Sequence, residues 1–231
     1  MKYPVLFVSL GPGDPELITL KSLKALQCAD LIFCPATLTK DGIRKSRSAE
    51  LLKVLSVTSP LSFFTLPMSK NREAAWRVYD DVFVQAKELY GQGKRVVIVV
   101  EGDASIYASI HYVLDKLVEA SVPVEQLPGI PSFIAASSAA ALHLIQQEER
   151  LVVIPGNITL SELDSYLSTN HVLVIMKLSQ CASVVKEYLR LHSEHTCYYF
   201  ENVGTPQALC LQSTQEIGER EIPYFSLLVI K

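Results

Sequence analysis

Apolar residues along this chain fall into two alternating rhythms. Short β-branched and aliphatic runs predict strands at Tyr3 to Leu10, Asp30 to Cys34, Ser62 to Leu66, Arg95 to Val100 and Val122 to Leu127. Between them, apolar positions recur at three- and four-residue steps, the period of a helix with one buried face. Thr19 can cap a helix reaching Gln27 with Leu20, Leu23 and Leu26 inward, and Ser48 can begin another that runs to Leu55. The clearest helical stretch is Asn71 to Tyr90, where Ala75, Tyr79, Val82, Phe83, Ala86 and Tyr90 share a face before Gly91 and Gly93 end it. Strands alternating with helices predict a parallel sheet with crossover helices.

The texture changes at Pro128-Gly129-Ile130-Pro131, a cluster of chain breakers. Beyond it an Ala/Ser-rich helix is followed by strands at Leu151 to Ile154, Val172 to Met176, Thr196 to Phe200 and Phe225 to Ile230, with fewer long helices between them. The expected fold is therefore α/β in two domains, residues 1–127 with a mainly parallel sheet and residues 128–231 with a mixed one. Composition agrees: 231 residues with 49% hydrophobic and 19% charged side chains exclude a disordered, collagenous or coiled-coil chain. Lys and Arg number 21 against 24 Asp and Glu, so the net charge of −3 lacks the basic excess of a dedicated nucleic-acid binder. The longest apolar stretch, Phe133 to Ile145, falls short of the ~20 residues a membrane span requires. The apolar run from Pro4 to Leu10 meets a Gly-Pro-Gly-Asp turn rather than a cleavage site, which favours a first strand over a secretory signal. Five cysteines, without a CxxC pair, are expected to be reduced, to pack as small hydrophobes and to place the protein in the cytoplasm.

Four segments offer chemistry. Leu10-Gly11-Pro12-Gly13-Asp14-Pro15 follows a strand and precedes a helix, the usual place for a ligand to approach backbone; it matches neither GxGxxG nor a P-loop. Glu101-Gly102-Asp103-Ala104-Ser105-Ile106-Tyr107 follows the most β-branched strand, which should be central, so both acidic turns are expected at one sheet edge. Acidic turns suit a ligand with an ammonium, ribose hydroxyls or an amino group rather than a phosphate; the plainer reading is that Asp14 and Asp103 cap turns. Pro128 to Phe133 repeats the strand, breaker, helix order, with Ser132 or Pro131 opening a helix of small residues that is either tightly packed or a ligand platform. Lys40, Arg44, Lys45 and Arg47 form a basic cluster, either a solvated face or a receptor for carboxylates. His111, His143, His171, His192 and His195 show no HExxH or other metal-ligand spacing and are expected to be structural, with no metal site. A nucleophile elbow is not found.

Together these segments resemble the tetrapyrrole methyltransferase family. Gly11 to Pro15 is similar to its GxGPGDP loop, Glu101 to Tyr107 to its GGDPxxF/Y motif, and Pro128 to Ser132 to its PGIT/S segment. Val172 to Leu178 resembles its strand ending in a cofactor-contacting Met, and Phe200 to Pro206 its VENxGTP-like turn. Glu101 in place of the first Gly, Glu149-Arg150-Leu151, Met176-Lys177-Leu178 and Pro223-Tyr224-Phe225-Ser226 resemble the branch acting on carbon 20 of precorrin-2 or cobalt-factor II in cobalamin biosynthesis. Ala104 and Pro131 depart from the pattern, since a Pro and a Thr or Ser are usual there. The resemblance implies S-adenosyl-L-methionine as cofactor, a tetrapyrrole substrate, a homodimer and a cleft between the two domains. It implies cofactor contacts by Pro12, Glu101, Gly102, Asp103, Ile106, Ser132, Met176, Val203 and Tyr224, substrate carboxylates on Arg44, Lys45 and Arg47, and Asp14 as base or orienting group. Another tetrapyrrole-ring methyltransferase, or a non-catalytic S-adenosylmethionine or nucleotide sensor, remains the alternative.

Overall fold

The computed structural model describes residues 3–39, 41–66 and 72–231, with the side chain of Arg72 left aside. The chain divides into two compact units, Met1–Pro131 and Ser132–Lys231. The first contains, in order, β1 (Val5–Ser9), a 3-10 turn (Pro15–Leu17), α1 (Leu20–Gln27), β2 (Leu31–Leu38), β3 (Arg44–Lys45), α2 (Arg47–Val54), β4 (Leu61–Thr65), α3 (Arg72–Gly91), β5 (Val96–Val100), α4 (His111–Glu119) and β6 (Val124–Leu127). Its sheet runs β2-β5-β1-β6 with β4 also paired to β2, all parallel. Only β3 is antiparallel, against Thr37 and Leu38.

Apart from Ser9, the central strands β1 and β5 are apolar because both faces are covered. Val5 and Phe7 of β1 and Val96 and Ile98 of β5 pack with Tyr79, Val82 and Ala86 of α3 and Val113 and Leu117 of α4. The alternate residues Val8, Val97 and Val99 pack on the other face with Leu26 of α1 and Leu52 of α2. Period-two alternation in the strands thus feeds two separate cores, giving three layers.

Several local expectations are corrected. Leu20, expected inward, is 75% exposed, because the Thr19 cap places it on the outer face of the first turn. The second helix is capped by Ser46, whose hydroxyl accepts from the Ala49 N–H at 3.1 Å, and Ser48 lies inside it, buried. Asn71, the expected start of the long helix, lies outside the described residues. Cys28 and Cys210 are exposed, so only Cys34, Cys181 and Cys197 pack as core hydrophobes; all five thiols are free.

The second unit contains α5 (Ser132–Ala139), β7 (Arg150–Ile154), α6 (Leu160–Leu167), β8 (His171–Met176), a 3-10 turn (Leu178–Gln180), α7 (Ala182–Leu191), β9 (Cys197–Glu201), β10 (Leu209–Leu211), α8 (Thr214–Glu219) and β11 (Ser226–Ile230). The sheet order is β10-β9-β11-β8-β7, and only β7 and β8 are parallel. Leu173, Ile175, Tyr199, Leu228 and Ile230 line one face beneath Leu163, Val185, Tyr188, Leu189 and Ile217 of the helices. The expected mixed sheet is found. No helix among the described residues is long and apolar enough to cross a membrane.

Candidate functional site

In the first unit, β5, β1 and β6 lie side by side and parallel, so the turns that follow them leave at one edge. These turns are fastened to one another. Gly11 and Gly102 form an antiparallel bridge, with Gly102 N–H donating to the Gly11 carbonyl at 2.7 Å and Gly11 N–H to the Gly102 carbonyl at 3.1 Å. The third turn lies against both: a Cβ on Gly129 would stand 2.6 Å from Ser9 Cβ and 2.9 Å from the Gly102 carbonyl oxygen, so only glycine fits. Asp103, 7% exposed, ties the second turn to the third. Its Oδ2 accepts from Gly129 N–H at 2.7 Å, and its Oδ1 accepts from Ser105 N–H at 2.8 Å and from the Ser105 hydroxyl. These donors hold the Asp103 carboxyl below the usual range although burial opposes them. Ser9, fully buried at the end of β1, accepts from Ala104 N–H at 2.9 Å, and His111 Nε2 reaches the Ala104 carbonyl at 2.5 Å.

Three turns from distant parts of the chain thus form one backbone platform. Pro12, Gly102 and Ile106 are half-buried on it. Asp14 sits on the first turn, where Oδ1 caps the following 3-10 turn through Glu16 N–H at 2.9 Å. Both aspartates therefore accept hydrogen bonds from turn N–H groups.

A fourth element reaches the same neighbourhood from α2. Ser46 donates to the Pro35 carbonyl at 2.7 Å, anchoring the start of α2 to the middle of β2, and Ser48 donates to Glu101 Oε1 at 3.4 Å. The residue surface of Glu101 is open to solvent, but its carboxyl is crowded by protein. That crowding pushes the carboxyl up; the Arg47 charge and the Ser48 hydrogen bond draw it partway back, and Glu50 adds to the rise. Of the basic cluster, Arg47 opens α2 near Glu101, while Arg44 and Lys45 are exposed on β3, Arg44 standing 5.3 Å from the Phe63 ring centre. Lys40 lies outside the described residues.

In the second unit, β8 and β9 both run antiparallel to β11, so their carboxyl ends meet its beginning. Met176 closes β8, Val203 follows β9 and Tyr224 precedes β11, and all three therefore belong to one sheet edge. Tyr224 is exposed, edge-on to Phe225 with ring centres 5.0 Å apart. Ser132 is the first residue of α5. The turn after β7 is pressed onto Met176: a Cβ on Gly156 would lie 2.6 Å from the Lys177 carbonyl oxygen and 3.0 Å from that of Met176. Beside this edge Glu201, buried at the end of β9, receives both nitrogens of the Arg220 fork, Nη2 at 2.9 Å from Oε2, and the hydroxyl of buried Tyr199. Arg220 holds the Glu201 carboxyl below the usual range, with Tyr199 adding to the effect against burial. Glu201, Arg220, Glu221 and Pro223 line a cavity of about 260 Å³.

Residues 4–216 match the family model described as Tetrapyrrole (Corrin/Porphyrin) Methylases. The chain belongs to this family. A precorrin-2 C(20)-methyltransferase of Sinorhizobium sp. is 30% identical over 228 residues, covering 96% of this chain and 93% of the relative. A probable cobalt-precorrin-2 C(20)-methyltransferase of Methanocaldococcus jannaschii is 30% identical over 182 residues, covering 78% and 75%. Among solved structures, a cobalt precorrin-4 methyltransferase shares the fold with a TM-score of 0.75 and 17% identity, over 98% of this chain and 93% of that one.

As a tetrapyrrole methylase, the protein is a methyltransferase whose cofactor is S-adenosyl-L-methionine. The residues present fit that cation. The platform offers main-chain groups at Pro12, Gly102 and Ile106, and carboxylates at Asp14 and Glu101 that complement an ammonium and a sulfonium. Periodicity did not single out Ser9, Ser105 or Arg220, on which these edges depend, and it marked Ser48 as a helix cap rather than as a partner of Glu101. Ser9 did leave a trace, as a hydroxyl at the end of an otherwise apolar strand that had to find a backbone partner.

Proposed function

We propose that this tetrapyrrole methylase methylates carbon 20 of precorrin-2 or cobalt-factor II in cobalamin biosynthesis. The near full-length likeness to the Sinorhizobium precorrin-2 C(20)-methyltransferase carries the reading. The likeness to the archaeal relative, which is named for the cobalt-bearing ring, supports both forms of substrate.

When bound, S-adenosyl-L-methionine supplies a methyl group already activated on a sulfonium, so the protein's task is positioning and exclusion of water. Pro12 on the first turn and Glu101, Gly102 and Ile106 on the second hold the cofactor in the first unit, and Asp103 acts by fixing the second turn to the third. Ser132, Met176, Val203 and Tyr224 contribute contacts in the second. Arg44, Lys45 and Arg47 receive carboxylates of the ring. The methylated carbon must lose a proton, and Asp14 accepts it or orients the macrocycle. The working unit is a cytoplasmic homodimer, to be checked by light scattering.

The decisive experiment supplies methyl-labelled S-adenosyl-L-methionine with each ring, metal-free and cobalt-loaded, and locates the label by NMR. Label at carbon 20 is expected, and the faster ring is the substrate. Label at another carbon assigns a different ring position. Cofactor binding with no transfer to either ring makes the protein a sensor.

A further inference from the structure

The connection between α7 and β9 holds a cluster that the platform does not use. His192, Glu194 and His195 each present one ligand atom within 4.8 Å of the other two, the one such group among the described residues. Glu194 Oε1 stands 2.9 Å from His192 Nδ1 and 3.8 Å from His195 Nε2, so both rings converge on one carboxylate oxygen. The other nitrogen of His192, Nε2, faces Asp164 Oδ1 of α6 at 3.5 Å. Tyr188 backs the group, its ring stacked on His192 at 4.3 Å and 16° and nearly parallel to His195 at 5.9 Å and 22°.

We propose that His192 Nδ1, Glu194 and His195 Nε2 form a site for a divalent transition-metal ion of the zinc class, with Asp164 orienting His192. Two imidazoles and a carboxylate are a fitting donor set for such an ion. Bonds of about 2.1 Å in tetrahedral geometry separate ligand atoms by roughly 3.4 Å, within small rotations of the present positions. A ligating histidine ordinarily donates its second N–H to a carboxylate, which is the relation of His192 to Asp164. A lone His192–Glu194 ion pair explains the 2.9 Å contact but not the second ring turned to the same oxygen. The side chains are 31%, 62% and 22% exposed, leaving room for water as the fourth ligand. Linear spacing hides the site, because His192-Ser193-Glu194-His195 converge only where the chain leaves helical geometry at His192, with φ −125° and ψ 85°. An ion here would clip the end of α7 to the start of β9.

The test uses the full chain without an affinity tag, stripped by a chelator, and titrated with zinc by calorimetry and with cobalt(II) by absorption. One ion per chain is expected, with a tetrahedral cobalt spectrum free of thiolate charge-transfer bands, and a thermal midpoint that rises with zinc. H192A and H195A should each weaken binding roughly tenfold or more, and D164N should weaken it by about tenfold at unchanged stoichiometry. All three positions are solvent-accessible, and circular dichroism of each variant confirms its fold. Absence of saturable binding, thiolate bands, or equal affinity in H192A and H195A would overturn the site. Equal affinity in D164N would overturn the role given to Asp164.

Discussion

The two sheet edges that carry the candidate site residues are built by different physics. In the first unit three parallel strands end together, and the turns are locked by main-chain hydrogen bonds, a glycine-wide gap and one buried aspartate. In the second unit two strand ends meet one strand beginning, and the neighbouring lock is a charged one, Glu201 gripped by Arg220 and Tyr199. Parallel strands place similar turns side by side, so shape suffices. Where strand directions mix, the adjoining chain segments differ, and a side-chain ion pair has to fasten them.

The comparison breaks first at Glu201. Glu201→Ala leaves Arg220 and the buried Tyr199 hydroxyl without their partner and should give the largest drop in the urea midpoint among these variants. An unchanged midpoint would mean that the charged lock does not fasten the second edge. Gly129→Ala is the corresponding test of the first edge. It forces the turns apart and should lower stability by about 2 kcal/mol while abolishing measurable cofactor binding. Retained binding would show that the three turns are not one platform. Asp103→Ala removes the tie but not the fit, so calorimetry should show a cofactor affinity lower by at least about tenfold, near 1.4 kcal/mol, with a small change in stability.

The smallest effect separates two glutamates whose carboxyls shift in opposite directions. Glu201 is depressed, so its contribution is present above the ordinary value near 4.5 and is lost as pH falls through the lower folded value. Glu201→Gln should therefore flatten the loss of stability in acid. Glu101 is raised, so its ionisation opposes folding once pH climbs past 4.5. Glu101→Gln should raise the thermal midpoint slightly at neutral pH and leave the acid limb unchanged. Midpoints shifting the same way in both variants would erase the contrast.

The strands and the common edge of the first two acidic turns were legible because period-two runs and breaker residues are local signals. The capping by Ser46 was missed because Ser46 and Ser48 are equally good caps, and the choice follows from the bond of Ser46 to the Pro35 carbonyl of β2. Leu20 read as a core residue by spacing alone, yet where a helix is capped decides which side its first turn faces. The role of Asp103 was half legible: its acidity and its turn were visible, but its bond to Gly129 depends on β5 and β6 flanking β1. Arg220 carried no signal, since its partner lies across the fold.

The fit of Gly129 against Ser9 and Gly102 also sets an order of events during folding. The three turns cannot close on one another until β6 has docked on β1, the strand that also pairs with β5. Such long-range pairing is slow, because the chain loses loop entropy before any contact returns it. A nascent chain that has not yet emerged past Gly129 therefore lacks the closed three-turn platform, and, on the site proposed above, recovery of cofactor affinity would time the completion of the first unit during refolding.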